Sequence, residues 1–147
     1  MTEYCLGFLF SQAPEYARVV LIRKNKPDWQ RGKLNGVGGK IEKGETALEA
    51  MRREFLEECG VKKENWVPFA LLDYPDARVW CFAAEDGILI DGAVRTMTEE
   101  EVIVVSAYAP WRTHGRVPNL SYLIPMAQEA LRVEKPEMLV LQPLEFV

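Results

Sequence analysis

GGKIEKGETALEAMRREFLEECGV, residues 38–61, is the stretch whose reading decides how the rest of the chain folds. It opens on a glycine turn and passes through Glu45 and Thr46 into a run where Leu48, Met51, Phe55 and Cys59 recur at helical spacing. Gly60 then stands where a helix C-cap belongs. At about 100° per residue, Glu54, Glu57 and Glu58 share an arc of roughly 100° beside that apolar stripe. Like charges three and four residues apart repel by about 0.2–0.5 kcal/mol per pair, and the C-terminal end of a helix disfavours anions. Such an edge is either a solvated acidic face or a place for a cation. Clustered hard oxygens suit Mg²⁺ or Mn²⁺, with water and substrate phosphate filling the remaining positions. The glycines of residues 36–39 would let backbone approach a metal or phosphate where a Cβ would collide.

Working outward, residues 4–10 and the run RVVLIR at Arg18–Arg23 are separated by turn residues, which predicts a β-hairpin-like pair. Residues 24–35 are polar, contain Pro27, Gly32 and Trp29, and read as a loop. Beyond the helix, residues 66–73 and 77–84 are β-prone runs with a turn at residues 74–76, and residues 87–91 read as an extension of that meander. Glu99, Glu100 and Glu101 precede VIVV, residues 102–105, a strand expected at the sheet centre or buried on both faces. A loop with Pro110, Gly115 and Pro118 leads to a second helix at Leu120–Arg132, and residues 138–147 are expected to add a last strand. This order predicts one domain over residues 1–147, α+β or a mixed α/β sandwich with helices on a mostly mixed β-sheet.

Composition sets the outer bounds. With 147 residues and 48% apolar content, the chain suffices for one proper core. A net charge of −4 and a pI near 5.2 argue against a broad basic face for a nucleic-acid polymer, while small anionic ligands stay open through a bridging metal. Cys5, Cys59 and Cys81 are odd in number, widely spaced and set among apolar residues, so they read as reduced packing thiols and favour a cytoplasmic location. The N-terminus has no basic segment followed by an apolar core, and no apolar run approaches the roughly 20 residues of a bilayer span. The expectation is a soluble, untargeted protein without a membrane partner, with a homodimer left open. His114, the only histidine, reads as a surface loop residue.

Gly39, Glu45, Arg53, Glu54, Glu57, Glu58, Gly60 and Val61, at these spacings, resemble the Nudix box of the Nudix hydrolases. Phe55 is a soft departure, standing where the family more often has an aliphatic residue. The resemblance implies a Nudix fold over nearly the whole chain, with its mixed sheet flanked by the box helix and a C-terminal helix. It also implies hydrolysis of a nucleoside diphosphate linked to another moiety, with Mg²⁺ or Mn²⁺ as cofactor. Carried over, it makes Glu57 and Glu58 the main metal ligands and the carbonyl of Gly38 a further one. Glu54 becomes a ligand or the base acting on water, with Arg53 and Glu45 as orienting partners. A further acid from outside the box often completes such sites, and Glu101 is favoured over Glu100 for that place.

Within the superfamily, the chain is most similar to the MutT-type nucleoside triphosphate pyrophosphohydrolases, including the branch that removes oxidised purine nucleotides. Residues 34–40, LNGVGGK, resemble a stretch where an asparagine contacts the base, which makes Asn35 a base-reading candidate. Residues 117–122, VPNLSY, resemble the loop that supplies a second base contact, here Asn119. Arg23 stands where the family places a cation near the nucleotide. Val117 departs from an aromatic that stacks on the base, and Asn119 with Leu120 departs from paired acids; Trp29 or Trp111 is the candidate stacking residue instead. A turn or cap role is the plain alternative for both asparagines. The implied reaction converts a nucleoside triphosphate, modified purines included, to monophosphate and pyrophosphate. Nucleotide sugars, dinucleoside polyphosphates and a non-catalytic nucleotide-binding module are the alternatives.

Overall fold

The apolar runs on either side of the glycine turn become the spine of one mixed sheet. In the computed structural model, which describes residues 1–108, 115 and 118–143, the chain begins with strands β1 (Thr2–Phe10), β2 (Arg18–Arg23), β3 (Leu34–Asn35) and β4 (Val37–Lys40). Helix α1 (Ala47–Cys59) follows, then β5 (Val67–Asp73), β6 (Ala77–Glu85), β7 (Glu101–Ser106), helix α2 (Leu120–Arg132) and β8 (Leu139–Leu141). β1 runs parallel to β6 along its whole length, from Thr2 opposite Ala77 to Phe10 opposite Glu85. Its other edge is divided: Tyr4 to Gly7 pair antiparallel with β4, and Phe10 meets Val19 of β2. β6 pairs with β5, β5 takes β8 in parallel, and β2 carries both β3 and β7.

Alternation along the strands splits the core into two layers. Leu6, Phe8, Phe10, Val19 and Leu21 pack with Leu120, Leu123, Ile124 and Ala127 of α2. Cys5, Leu9, Val20 and Ile22 pack instead with Ala50, Met51, Phe55 and Cys59 of α1. The sheet is therefore covered on both faces, which makes the fold an α+β, α/β/α sandwich and explains why its inner strands read as continuous apolar runs. Phe55 is fully buried and meets Trp66 edge-on, ring centroids 5.3 Å apart. That burial is worth about 2–3 kcal/mol, so an aromatic at this box position is a core residue.

The close approach of β4 to β1 has a specific requirement. A Cβ on Gly38 would lie 2.0 Å from the carbonyl oxygen of Cys5, and backbone there cannot step aside as a flexible side chain could. Overpacking of this kind costs about 1–3 kcal/mol. Gly38→Ala should therefore lower the thermal midpoint by roughly 3–9 °C; a melt superimposable on the parent's would show that β4 yields without cost.

Several expectations need correction. Residues 4–10 and Arg18–Arg23 do pair antiparallel, but the ladder is confined to Phe10 opposite Val19, because β1 gives most of its edges to β6 and β4. The polar segment after β2 is not all loop: it holds a 3₁₀ turn at Asp28–Gln30, and Leu34 and Asn35 pair with Arg23 and Ile22. Residues 87–91 do not extend the meander. The Asp86 carboxylate accepts hydrogen bonds from the amides of Ile88 and Leu89 and starts a helical turn at Leu89–Ala93. β7 lies beside β2 away from the sheet centre, with Val104 exposed. No helix among the described residues is long and apolar enough to cross a membrane.

Candidate active site

Local sequence defines both ends of the box helix. Thr46 Oγ1 accepts from the Glu49 amide at 3.1 Å, and the Glu49 carboxylate accepts from the Thr46 amide at 2.9 Å, a reciprocal capping box. At the other end Gly60 adopts φ 74°, a left-handed cap open to glycine, and donates to the Leu56 carbonyl at 3.0 Å. Between these caps the acids and Arg53 are held in fixed rotation about the axis.

Arg53 ties the glycine turn to the helix. Its guanidinium grips Glu45 through two hydrogen bonds of 2.6 and 2.9 Å, reaches the Lys40 carbonyl at 3.1 Å, and contacts Glu54 at 2.9 Å and Glu57 at 3.4 Å. A planar fork with several donors suits this task better than an ammonium would. Hydrogen bonding to Arg53 holds Glu45 below the usual carboxylate range. Burial pushes Glu54 the other way, with Arg53 opposing. A Cβ on Gly39 would lie 2.4 Å from Glu54 Oε1, so the glycine turn lies directly against that carboxylate.

Glu58 is the strained member. It is 7% exposed, and its Oε2 is buried with no hydrogen-bond partner among the described residues. Burial pushes its pKa up to about 8, with the charges of Glu100 and Glu54 acting in the same direction and Lys24 against them. Glu57, by contrast, is 55% exposed at its side chain. A buried anion with an orphaned oxygen and anionic neighbours is an arrangement that a cation relieves. Among the described residues, however, no three acidic or other ligating side chains form a ready metal cage.

The acids before β7 meet the basic residues after β2. Glu101 is 60% exposed and pairs with Arg23 at 3.3 Å, and Arg23 also donates to the Gly32 carbonyl at 3.1 Å. Glu100, 15% exposed, accepts from the Asn25 amide at 2.6 Å and lies 3.6 Å from Lys24 Nζ. Glu100 thus acts on Glu58 through its charge, while Glu101 is paired with Arg23. Sequence reasoning missed Lys24, whose signal was a run of three basic residues, Arg23, Lys24 and Lys26, matched by the three consecutive acids Glu99, Glu100 and Glu101.

A cleft of about 620 Å³ opens at Gly38 and Gly39 and extends over the α2 side of the sheet. Its walls include Lys24, Trp29, Asn35, Tyr74 and Asn119, and it does not include the box carboxylates, of which Glu54 lies directly behind Gly39. Asn35 Oδ1 accepts from the Gly36 amide at 2.8 Å. Asn119 makes no cap bond to α2; its carboxamide donates to Tyr74 Oη at 2.9 Å and accepts from Tyr122 Oη at 2.8 Å. Trp29 is 40% exposed, with the Lys33 ammonium 5.9 Å from its ring centroid. Trp111, His114 and Val117 lie outside the described residues. Tyr74 was read as a turn residue, and nothing in its local sequence marks it as a cleft wall.

The family model for the NUDIX domain matches residues 8–114. The oxidized purine nucleoside triphosphate hydrolase of Danio rerio is 50% identical over 42 residues, which is 29% of this chain and 27% of the length of that curated relative. Among solved structures, the MutT protein of Bacillus halodurans matches with a TM-score of 0.67 and 17% identity over 90% of this chain and 86% of its own. An ADP-ribose pyrophosphatase from Streptococcus suis matches with a TM-score of 0.72 and 17% identity over 95% and 98%. At such identities the two structures bear on the fold alone.

Proposed function

The chain belongs to the NUDIX domain family of hydrolases, and from that premise we propose that it hydrolyses the diphosphate linkage of a nucleoside triphosphate, modified purines included, using Mg²⁺ or Mn²⁺. The observation that carries the reading is the buried Glu58 carboxylate, whose Oε2 has no hydrogen-bond partner among the described residues and which feels the charges of Glu54 and Glu100, on a helix packed against a glycine turn that opens into a cleft lined by two asparagines. Glu57, Glu58 and the Gly38 carbonyl would hold the cation, with Glu54 as a further ligand or the acceptor of the attacking water's proton. Arg53 fixes Glu54 and Glu57, and Glu45 fixes Arg53. When bound, a divalent cation neutralises the diphosphate, acidifies a water and stabilises charge on the leaving phosphate. Water adds to one phosphorus, the bridging P–O bond breaks, and nucleoside monophosphate and pyrophosphate leave. Glu100 is better placed than Glu101 to be the acid from outside the box.

In the cleft, Asn35 and Asn119 would contact the base and Trp29 would offer an aromatic face, while Arg23, beside the cleft-lining Lys24 in sequence, would serve the nucleotide if it exchanges Glu101 for phosphate. The free, buried thiols of Cys5, Cys59 and Cys81 support a reducing compartment, the cytoplasm. One panel tests the whole reading: unmodified and oxidised nucleoside triphosphates, nucleotide sugars and dinucleoside polyphosphates with Mg²⁺, scored for pyrophosphate or phosphate release. Pyrophosphate from a triphosphate is the expected result. Faster turnover of a nucleotide sugar or dinucleoside polyphosphate would move the assignment to that substrate class, and nucleotide binding without any turnover would make this a binding module. Asn119→Ala should raise KM or narrow the discrimination between bases, and unchanged discrimination would remove Asn119 from base recognition.

A further inference from the structure

Asn119 stands at the start of α2 with φ −65° and ψ −20°, already helical, and its side chain does not cap the helix. The polar capacity an asparagine would ordinarily give to the backbone is spent elsewhere. One amide hydrogen goes to Tyr74 Oη at 2.9 Å, and the carbonyl oxygen takes the Tyr122 hydroxyl at 2.8 Å. Tyr74 is buried at the end of β5 and lines the cleft, while Tyr122 lies one turn along α2 and packs against the α2 core layer. The carboxamide is therefore held from two sides by groups on different elements, 45 residues apart in one case and three in the other.

We propose that Tyr74 and Tyr122 are positioning residues that hold the Asn119 carboxamide as the reader of the nucleobase edge. A carboxamide has two N–H donors and two carbonyl lone pairs. Among the described residues the phenols occupy one of each, which leaves one donor and one acceptor of the carboxamide for a ligand in the cleft. That pair matches a ring edge with an adjacent donor and acceptor, as 6-amino and 6-oxo purines present, and it carries no charge that a change of pH would alter. Burial raises the pKa of both phenols, that of Tyr122 to about 12, so both keep their hydroxyl protons at neutral pH. A side chain held in place before the ligand arrives does not have to be ordered by it, and binding gains accordingly. The proposal rests on the reading of the cleft as a nucleotide site, not on hydrolysis there.

Calorimetric titration with a purine nucleoside monophosphate and with ribose 5-phosphate tests it without turnover. Tyr122→Phe should weaken binding of the nucleoside monophosphate by about five- to tenfold, the loss expected for one hydrogen bond of this kind, and leave ribose 5-phosphate unchanged. In an Asn119→Ala background the same substitution should have no further effect. Tyr74 is a core residue, so Tyr74→Phe is interpreted only if its thermal midpoint stays with the parent's, and the Tyr122 variant decides the matter by itself. Equal affinity of parent and Tyr122→Phe, an equal loss on ribose 5-phosphate, full additivity with Asn119→Ala, or no binding of any purine monophosphate to the parent would each overturn the proposal. Failure of the hydrolysis panel with these binding results intact would sink the proposed reaction and leave the reader in place.

Discussion

Glu57→Gln should lower turnover by roughly a thousandfold and leave the fold untouched. Gln keeps the length and shape of the side chain and removes only the charge. Its carbonyl is a poorer partner for a hard cation than a carboxylate, so about 4 kcal/mol of transition-state charge stabilisation is lost. The stability side follows from exposure: Glu57 is 55% exposed and meets Arg53 only at 3.4 Å, an exposed ion pair worth about 0–1 kcal/mol. The measurement is steady-state kinetics on the best triphosphate of the panel, paired with a thermal melt. Turnover near the parent's would remove Glu57 from the metal site, and a large fall in midpoint would make the lost activity a folding defect.

Glu58→Gln should divide the two properties in the opposite sense, abolishing most turnover while stabilising the metal-free protein. The folded-state pKa of Glu58, about 8, lies above the ordinary carboxyl value of 4.5. The folded chain therefore binds the proton more tightly than the unfolded chain does, and metal-free stability falls as pH rises from about 4.5 to about 8. Gln carries no charge to bury, so in EDTA at pH 8 or above the variant should be more stable by about 2–4 kcal/mol and show a flatter pH dependence. Saturating Mg²⁺ should stabilise the parent, by about 2.7 kcal/mol at a hundred times its dissociation constant, and stabilise the variant less. Denaturation midpoints from pH 5 to 9, with EDTA and with Mg²⁺, read both effects. Identical slopes for parent and variant would mean that Glu58 does not carry its charge into the fold as described.

These two variants separate function from stability because the site is built on a conflict. The carboxylate that would serve the cation best is the one the metal-free fold tolerates least, with an orphaned oxygen and Glu100 and Glu54 as its anionic neighbours. The Arg53 fork offsets part of that cost by engaging Glu45, Glu54 and Glu57, but among the described residues it does not reach Glu58. Lys24 is the cation that acts on Glu58, and it is itself paired with Glu100.

The sequence by itself determined the box helix to the residue at its C-terminal end, the capping by Gly60, the extent of α2, and the family. These are matters of short-range geometry: 3.6-residue spacing places Glu54, Glu57 and Glu58 on one edge whatever the rest of the chain does. It also determined which runs would be strands, with residues 66–73 and 77–84 close to the observed β5 and β6. Only the tertiary structure decided the partners. β7 reads as a central strand because VIVV is apolar throughout, yet its place at an edge depends on β2 having that flank open. Glu101 pairs with Arg23 because the β2–β7 register sets the two opposite each other, and Glu100, beyond the pairing, is held by the Asn25 amide, from where its charge acts on Glu58. The phenols that fix Asn119 come together because the end of β5 lies beside the start of α2, 45 residues later. Helical rotation is inherited from neighbours in sequence, whereas register and the meeting of distant ends are set by which hydrophobic faces pack together, and no local pattern records that choice.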